Sequence, residues 1–215
     1  MTQPKLTVDI VSDVVCPWCI VGFRQLQAAM QALGVKADVT WHPFELNPTM
    51  GPDGQNLREH IMEKYGSTAE QSAAARSRLA EVGESLGIKF HFGDDSRIVN
   101  TFRAHQLIDW AETTGRQTDM KLAMFTAYFT GGRDVSNPDT LIDIAAEAGF
   151  DVEQAREIVT NNTRAAQVRE KQKFWTDRGI QGVPAMIFAG KYLVTGAQGV
   201  ENYTNILNQL VAEAA

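Results

Sequence analysis

The chain is poor in the residues that staple or coordinate: in 215 positions it has two cysteines and four histidines. Two cysteines, Cys16 and Cys19, lie too close together to tie distant segments, so no disulfide framework holds this fold. One cysteine pair also supplies only half of a structural zinc site, and His42, His60, His91 and His105 show no H-x(3–5)-H pairing to complete it. No metal is expected. Long apolar runs are missing too: nothing reaches the ~18 residues of a membrane span. Positive charge is short, 20 bases against 26 acids, with no Lys/Arg run, which argues against a phosphate-backbone partner. The 7 Pro and 17 Gly are dispersed, so neither a low-complexity linker nor disorder is indicated. Met1 to Leu6 carries one Lys and no apolar core of a secretory signal, and a cytoplasmic chain is the expectation.

What is present is enough for a large core; a compact chain of this length buries roughly 70% of its unfolded surface. Leu6 to Val11 alternates and is β-branched, as a strand requires. Ile20, Phe23, Leu26, Met30 and Leu33 then recur at spacings of three and four, the stripe of an amphipathic helix, with Gly34 as its stop. A second strand is expected over about Ala37 to Phe44, followed by a Pro/Gly-rich loop from Asn47 to Gln55. From Leu57 to Arg178 strand signals nearly vanish, and helical patterns cover 57–64, 69–86, 101–114, 118–130, 139–148, 152–161 and 163–177. Strand signal returns at Ala185 to Ala189 and Tyr192 to Thr195, linked by Gly190-Lys191, before a last helix from Val200 to Ala212. The order βαβ, helical block, ββα predicts an α/β fold: one mixed sheet with an all-helical domain inserted through its middle. The boundaries read as residues 1–50 and 179–215 for the sheet domain and 51–178 for the insertion.

The chemistry is concentrated where the first strand gives way to the first helix, at Cys16-Pro17-Trp18-Cys19. Proline at the first helical position lacks only an N–H that would be unpaired anyway. That sets Cys16 at the cap, facing the free amides of the first turn, and Cys19 one turn inside. A helix N-terminus favours an anion by up to ~2 kcal/mol, which predicts a Cys16 pKa near ~7 and a Cys19 that keeps a higher one. Two inert core cysteines are the bland alternative, but a helix-start position with Pro between them is unusual for that role. Gly182-Val183-Pro184, just before the third strand, is consistent with a cis X-Pro bond.

Together these segments resemble the thioredoxin-like superfamily, specifically the DsbA family and its FrnE-like cytoplasmic branch. The similarity spans nearly the whole chain. It is carried by Ser12-Asp13-Val14-Val15-Cys16-Pro17-Trp18-Cys19, Pro43-Phe44-Glu45-Leu46-Asn47-Pro48, Asn100-Thr101 through Ala104-His105, Ala127-Tyr128-Phe129 and Gly182-Val183-Pro184-Ala185. The resemblance implies a thiol-disulfide oxidoreductase in which Cys16 is the nucleophile, Cys19 the resolving cysteine and Pro184 a cis-proline facing them. Val183 would pair its backbone with an extended substrate, and Pro17, Trp18 and Phe44 would add to the substrate surface. Trp18 stands where periplasmic members carry a His, and its uncharged indole argues against an extreme oxidant. No bound cofactor is needed, glutathione entering only as a co-substrate, and the partner is a protein or low-molecular-weight disulfide or thiol. A monomer or homodimer fits equally.

The same superfamily holds 2-hydroxychromene-2-carboxylate isomerases and kappa-class glutathione transferases, which typically have Ser at the nucleophile position. A glutathione-dependent isomerase or transferase is therefore the alternative, and a non-enzymatic binding module a third reading. Among other residues, Asp13 reads first as a shaper of the strand-to-helix turn and second as a modulator of the cysteines. Phe44, Tyr128 and Phe129 are candidates for an apolar groove. Asn100 reads as a helix cap, His105 as a packed or surface residue, and Met120 and Met124 as core.

Overall fold

The structure, a computed structural model, describes residues 6–213. Strand β1 (Leu6–Ser12) buries Leu6, Val8 and Ile10 on one face, as its alternation predicts. Helix α1 (Pro17–Leu33) follows, with Cys19, Ile20, Phe23, Leu26 and Ala29 turned into the core. It stops at Gly34, whose φ of 66° is readily adopted only without a side chain; the Gly34 and Val35 amides donate to the carbonyls of Gln31 and Met30. The chain returns in β2 (Ala37–Pro43), parallel to β1, with Val8 opposite Val39 and Ile10 opposite Trp41.

The next stretch is helical, apart from a two-residue ladder that the sequence pattern does not reveal: β3 (Gln55–Asn56) pairs antiparallel with Arg97–Ile98. Helices α2 (Leu57–Tyr65) and α3 (Ala69–Ser85) lie between, and β4 (Arg97–Ile98) closes the ladder. Then come α4 (Phe102–Glu112), α5 (Gln117–Phe125), α6 (Pro138–Glu147), α7 (Val152–Asn161) and α8 (Ala165–Asp177). The sequence predicts one helix from 118 to 130; instead α5 widens into a π-turn over Thr126–Thr130, closed by the Gly131 amide on the Thr126 carbonyl (3.0 Å). In that wider turn Phe129 is buried and the Tyr128 hydroxyl donates to the Arg97 carbonyl (2.7 Å).

β5 (Ala185–Phe188) and β6 (Tyr192–Thr195) complete a mixed sheet of order β2-β1-β5-β6, with β5 antiparallel to both neighbours. The hairpin link begins one residue earlier than expected, because Ala189 as well as Gly190 takes a positive φ (51° and 66°). Helix α9 (Val200–Glu213) packs on α1 through Tyr203, Leu207 and Leu210. Among the described residues, no helix is long and apolar enough to cross a membrane.

How the helices cover the sheet explains the stability of β2, an edge strand whose free backbone groups need partners. Gln117 supplies them: its side-chain oxygen accepts from the Trp41 amide (2.8 Å) and its side-chain nitrogen donates to the Trp41 carbonyl (2.9 Å). The Trp41 indole, buried against Phe23 and Phe125, donates to the Thr118 hydroxyl (3.0 Å). The two parts of the chain thus share one core.

Candidate active site

Asp13, Val14 and Val15 turn the chain from β1 into α1, with the Cys16 amide donating to the Asp13 carbonyl (3.3 Å). Cys16 is the cap residue, extended at φ −90° and ψ 110°, and Pro17 opens the helix, as the motif predicts. The Cys19 amide donates to the Cys16 carbonyl (3.1 Å), which fixes the second thiol one turn inside. Both thiols are free, Cys16 4% exposed and Cys19 fully buried. The Val183–Pro184 bond is cis, and the Val183 carbonyl accepts from the Cys16 thiol at 3.6 Å, so residues separated by 167 positions meet at the sulfur.

Asp13 is fully buried and does more than shape the turn. One carboxylate oxygen accepts from the Leu46 amide (2.7 Å) and the other lies 3.2 Å from His105 Nε2. Burial alone would raise its pKa, but His105, the Leu46 amide and Thr101 hold it below the ordinary carboxyl range. His105 is packed, as read from sequence, yet it has an acidic partner 92 positions away that no local pattern ties to it. Asn100 does not cap α4 in the expected way: Thr101 stands at the cap, and Asn100, one residue earlier, accepts from the Phe102 amide (2.9 Å) while donating to the Met50 carbonyl.

The two thiols are buried against each other, so the helix dipole does not act on Cys16 alone. Cys16 is pushed well above the ordinary thiol range: the adjacent Cys19 sulfur favours its protonated form, its surroundings are dry, and the Asp13 charge opposes a second anion. Burial also opposes charge on Cys19, but the Cys16 S–H, the Lys121 ammonium, the Ser12 hydroxyl and the Asp13 amide outweigh it and draw that thiol down. The pair therefore shares its proton, and the two sulfurs titrate together. Burial, the neighbouring thiol and a cation from a distant helix act on the sulfurs alongside the dipole.

That cation is the residue the sequence reading missed. Lys121 is 1% exposed, in the inward stripe of Gln117, Met120, Lys121, Met124 and Phe125 on α5. A lysine at a core position of an amphipathic helix is the signal that would have found it.

A cavity of about 510 Å³ opens beside the dithiol. Cys16, Pro17, Trp18 and Val183 form one end, and Leu57, Ile61, Leu79, Phe92 and Ile98 of the inserted segment form an apolar body with Tyr128 and Phe129. His60, Arg58 and Arg76 bring polarity to its wall. Tyr128 and Phe129 thus line the groove expected of them. Phe44 does not: it packs with Val183, Trp175 and Ile187 against the small cluster of Val11, Ile180 and Ala185. Trp18, 39% exposed, lines the same cavity as Cys16. Met120 and Met124 are core. Among the described residues, no group of three or more His, Cys, Asp or Glu side chains is arranged to hold a metal ion.

Known proteins share this fold. A probable DsbA oxidoreductase from Streptomyces coelicolor superposes with a TM-score of 0.91 at 29% identity, over 98% of this chain and 92% of that one. The cytosolic disulfide reductase DsbM of Pseudomonas aeruginosa, solved with GSH, matches at TM-score 0.67 and 18% identity (96% and 99% covered). A 2-hydroxychromene-2-carboxylate isomerase matches at 0.72 and 14% (96% and 97%). At those two identities the likeness is one of fold. The sequence pattern of the DSBA-like thioredoxin domain matches residues 7–208, nearly the entire chain, and the protein belongs to that family.

Proposed function

We propose that the protein is a thiol-disulfide oxidoreductase working through Cys16 and Cys19. The observation that carries this reading is the Cys16 sulfur at the start of α1, against the Val183 carbonyl and one turn from a second free thiol. In the reducing direction, the proton shared across the pair moves to Cys19 and the Cys16 thiolate attacks a substrate disulfide. One half of the substrate leaves as a thiolate and the other stays bonded to Cys16. Cys19, once deprotonated, attacks the Cys16 sulfur, the mixed disulfide breaks, and the second half departs. The dithiol has then given two electrons to the substrate, and the leaving thiolates take up the protons. The oxidising direction is the reverse. Val183 and Pro184, with Pro17 and Trp18, form the docking surface.

In this reading residues 1–50 and 179–215 supply the redox centre and residues 51–178 the wall that faces substrate. Neither metal nor resident organic cofactor takes part. A cytoplasmic setting suits a chain whose only cysteines are this pair. Replacing Cys16 with Ser and following reduction of a model disulfide tests the proposal; full activity in that variant would overturn it.

The cavity supports a second reading, a glutathione-dependent isomerase or transferase. Its apolar body and cationic wall, beside a thiol, suit a small organic substrate together with an anionic thiol. That reading requires saturable glutathione binding and an activity that survives Cys19→Ser.

A further inference from the structure

We propose that Arg76, held on the inward stripe of α3 by Ser72, anchors an anionic group in the cavity beside Cys16, and that the dithiol acts on a low-molecular-weight disulfide joining an apolar body to a carboxylate. The inference rests on the disulfide-exchange reading and names the substrate class of that same site.

Cys16 is 4% exposed and lines the cavity wall, so a substrate sulfur reaches it from within that space. A volume of about 510 Å³ is of the size that holds a small organic molecule. The apolar body of the cavity suits an aromatic or aliphatic group; charge decides what else the ligand carries. The whole chain has a formal net charge of −6, yet among the described residues no Asp or Glu lines this cavity, whereas Arg58, Arg76 and His60 do. Arg58 is already matched, by an ion pair with Asp94. His60 has its ring nitrogens 2.7 Å from Gln55 Oε1 and 3.0 Å from Asn47 Oδ1, and burial and Lys64 lower its pKa. It adds no charge at neutral pH.

Arg76 differs from both. It lies in line with Ser72, Leu79 and Gly83, the three buried residues of α3, at the spacing that puts side chains on one helix face. Helix α3 packs on α1, the helix that carries the dithiol. The half-buried guanidinium donates to the Ser72 hydroxyl (2.8 Å), which is itself buried. Among the described residues, no carboxylate pairs with Arg76. A guanidinium carries five donors in a rigid fork, and one serine oxygen leaves the others for a carboxylate. Such a bond is stronger in apolar surroundings than in water.

The chemistry is ordinary exchange. The Cys16 thiolate attacks one substrate sulfur, and the half that leaves takes the bonding pair as a thiolate. Cys19 then displaces the half bonded to Cys16. The dithiol ends as a disulfide and the substrate as two thiols, while Arg76 holds the carboxylate and is itself unchanged.

The test uses the full chain in its reduced form. Single-turnover rates are measured with dithiobis(nitrobenzoate), a diaryl disulfide with a carboxylate on each ring, and with dithiodipyridine, its neutral counterpart. The native protein should show saturation with the anionic disulfide. Arg76→Met should lower its rate at subsaturating concentration about tenfold, the loss of a charge-assisted hydrogen bond, and change the neutral one by less than about twofold. Arg76→Lys should restore part of the loss. The ratio of the two rates within each variant cancels any general change in thiol reactivity, so equal losses on both, or none on either, overturn the proposal. Should Arg76→Met not fold, competition in the native protein decides: naphthoate should slow the reaction with the anionic disulfide and naphthalenemethanol should not, and equal competition rejects the anchor. Preferential reduction of insulin disulfides, unaffected by naphthoate, would overturn the choice of a small substrate. A native protein that reacts with none of these disulfides would instead reject the exchange reading beneath.

Discussion

The sheet with α1 and α9, and the helices between β2 and β5, serve the same site by different means. The first part positions sulfur through backbone geometry: a strand end, a proline-started helix and a cis peptide 167 residues away. The second part supplies its surroundings: His105 on Asp13, the buried Lys121 whose charge acts on Cys19, and the apolar wall beside Cys16. In the proposed reading, charges from a segment that contains no cysteine act on the dithiol.

The widest separation between the two parts is expected at the sulfurs. Cys16→Ser should reduce disulfide exchange by more than about 10³-fold, measured by single-turnover kinetics. Cys19→Ser should keep the first attack and accumulate a mixed disulfide at Cys16, visible as added mass. In contrast, Leu141→Ala on α6, where the side chain is fully buried, should cost about 2–5 kcal/mol of stability in chemical denaturation while leaving the thiol midpoint in place. A large midpoint change in that variant would show that the helices act on the dithiol through packing rather than charge.

A local motif revealed the sulfur geometry; the tuning was beyond its reach. Pro17 after Cys16, the stripe from Ile20 to Leu33 and Gly34 describe α1 almost to the residue because each acts within a few positions. The strands of the sheet were legible for the same reason, their β-branched alternation being local. The Asp13–His105 contact and the approach of α5 to Cys19 depend on how helices pack across 90 positions or more, and neither partner signals the other. The π-turn after α5 was hidden because Ala127 to Phe129 suit an ordinary helix equally well. Aromaticity alone does not say where a ring will pack, and Phe44 lies against Val11, Ile180 and Ala185.

Charge effects on stability sharpen the comparison further. The folded pKa of Lys121 lies below its ordinary 10.5, at about 8, so between these values the unfolded chain binds more protons than the folded one. Stability should therefore rise with pH across that window, by up to about 3 kcal/mol. Denaturation curves of the native protein minus those of Lys121→Met should show the rise, and a flat difference would place the ammonium in water. Asp13 gives a smaller effect of the familiar acid kind. Its folded pKa is depressed, so its contribution is complete above the ordinary value of 3.8 and is lost as pH falls through the lower, folded one. Asp13→Asn should flatten the acid limb of the stability profile, and an unchanged limb would assign acid unfolding to other carboxylates.

The most direct test of the central claim is a redox titration of the purified protein against glutathione buffers, with free thiols read by alkylation and mass spectrometry. The account predicts a reversible two-electron transition to a Cys16–Cys19 disulfide, with a midpoint between about −270 and −120 mV. Failure to form an internal disulfide, with glutathione retained on the protein, would contradict it and turn the assignment to a glutathione-dependent isomerase or transferase.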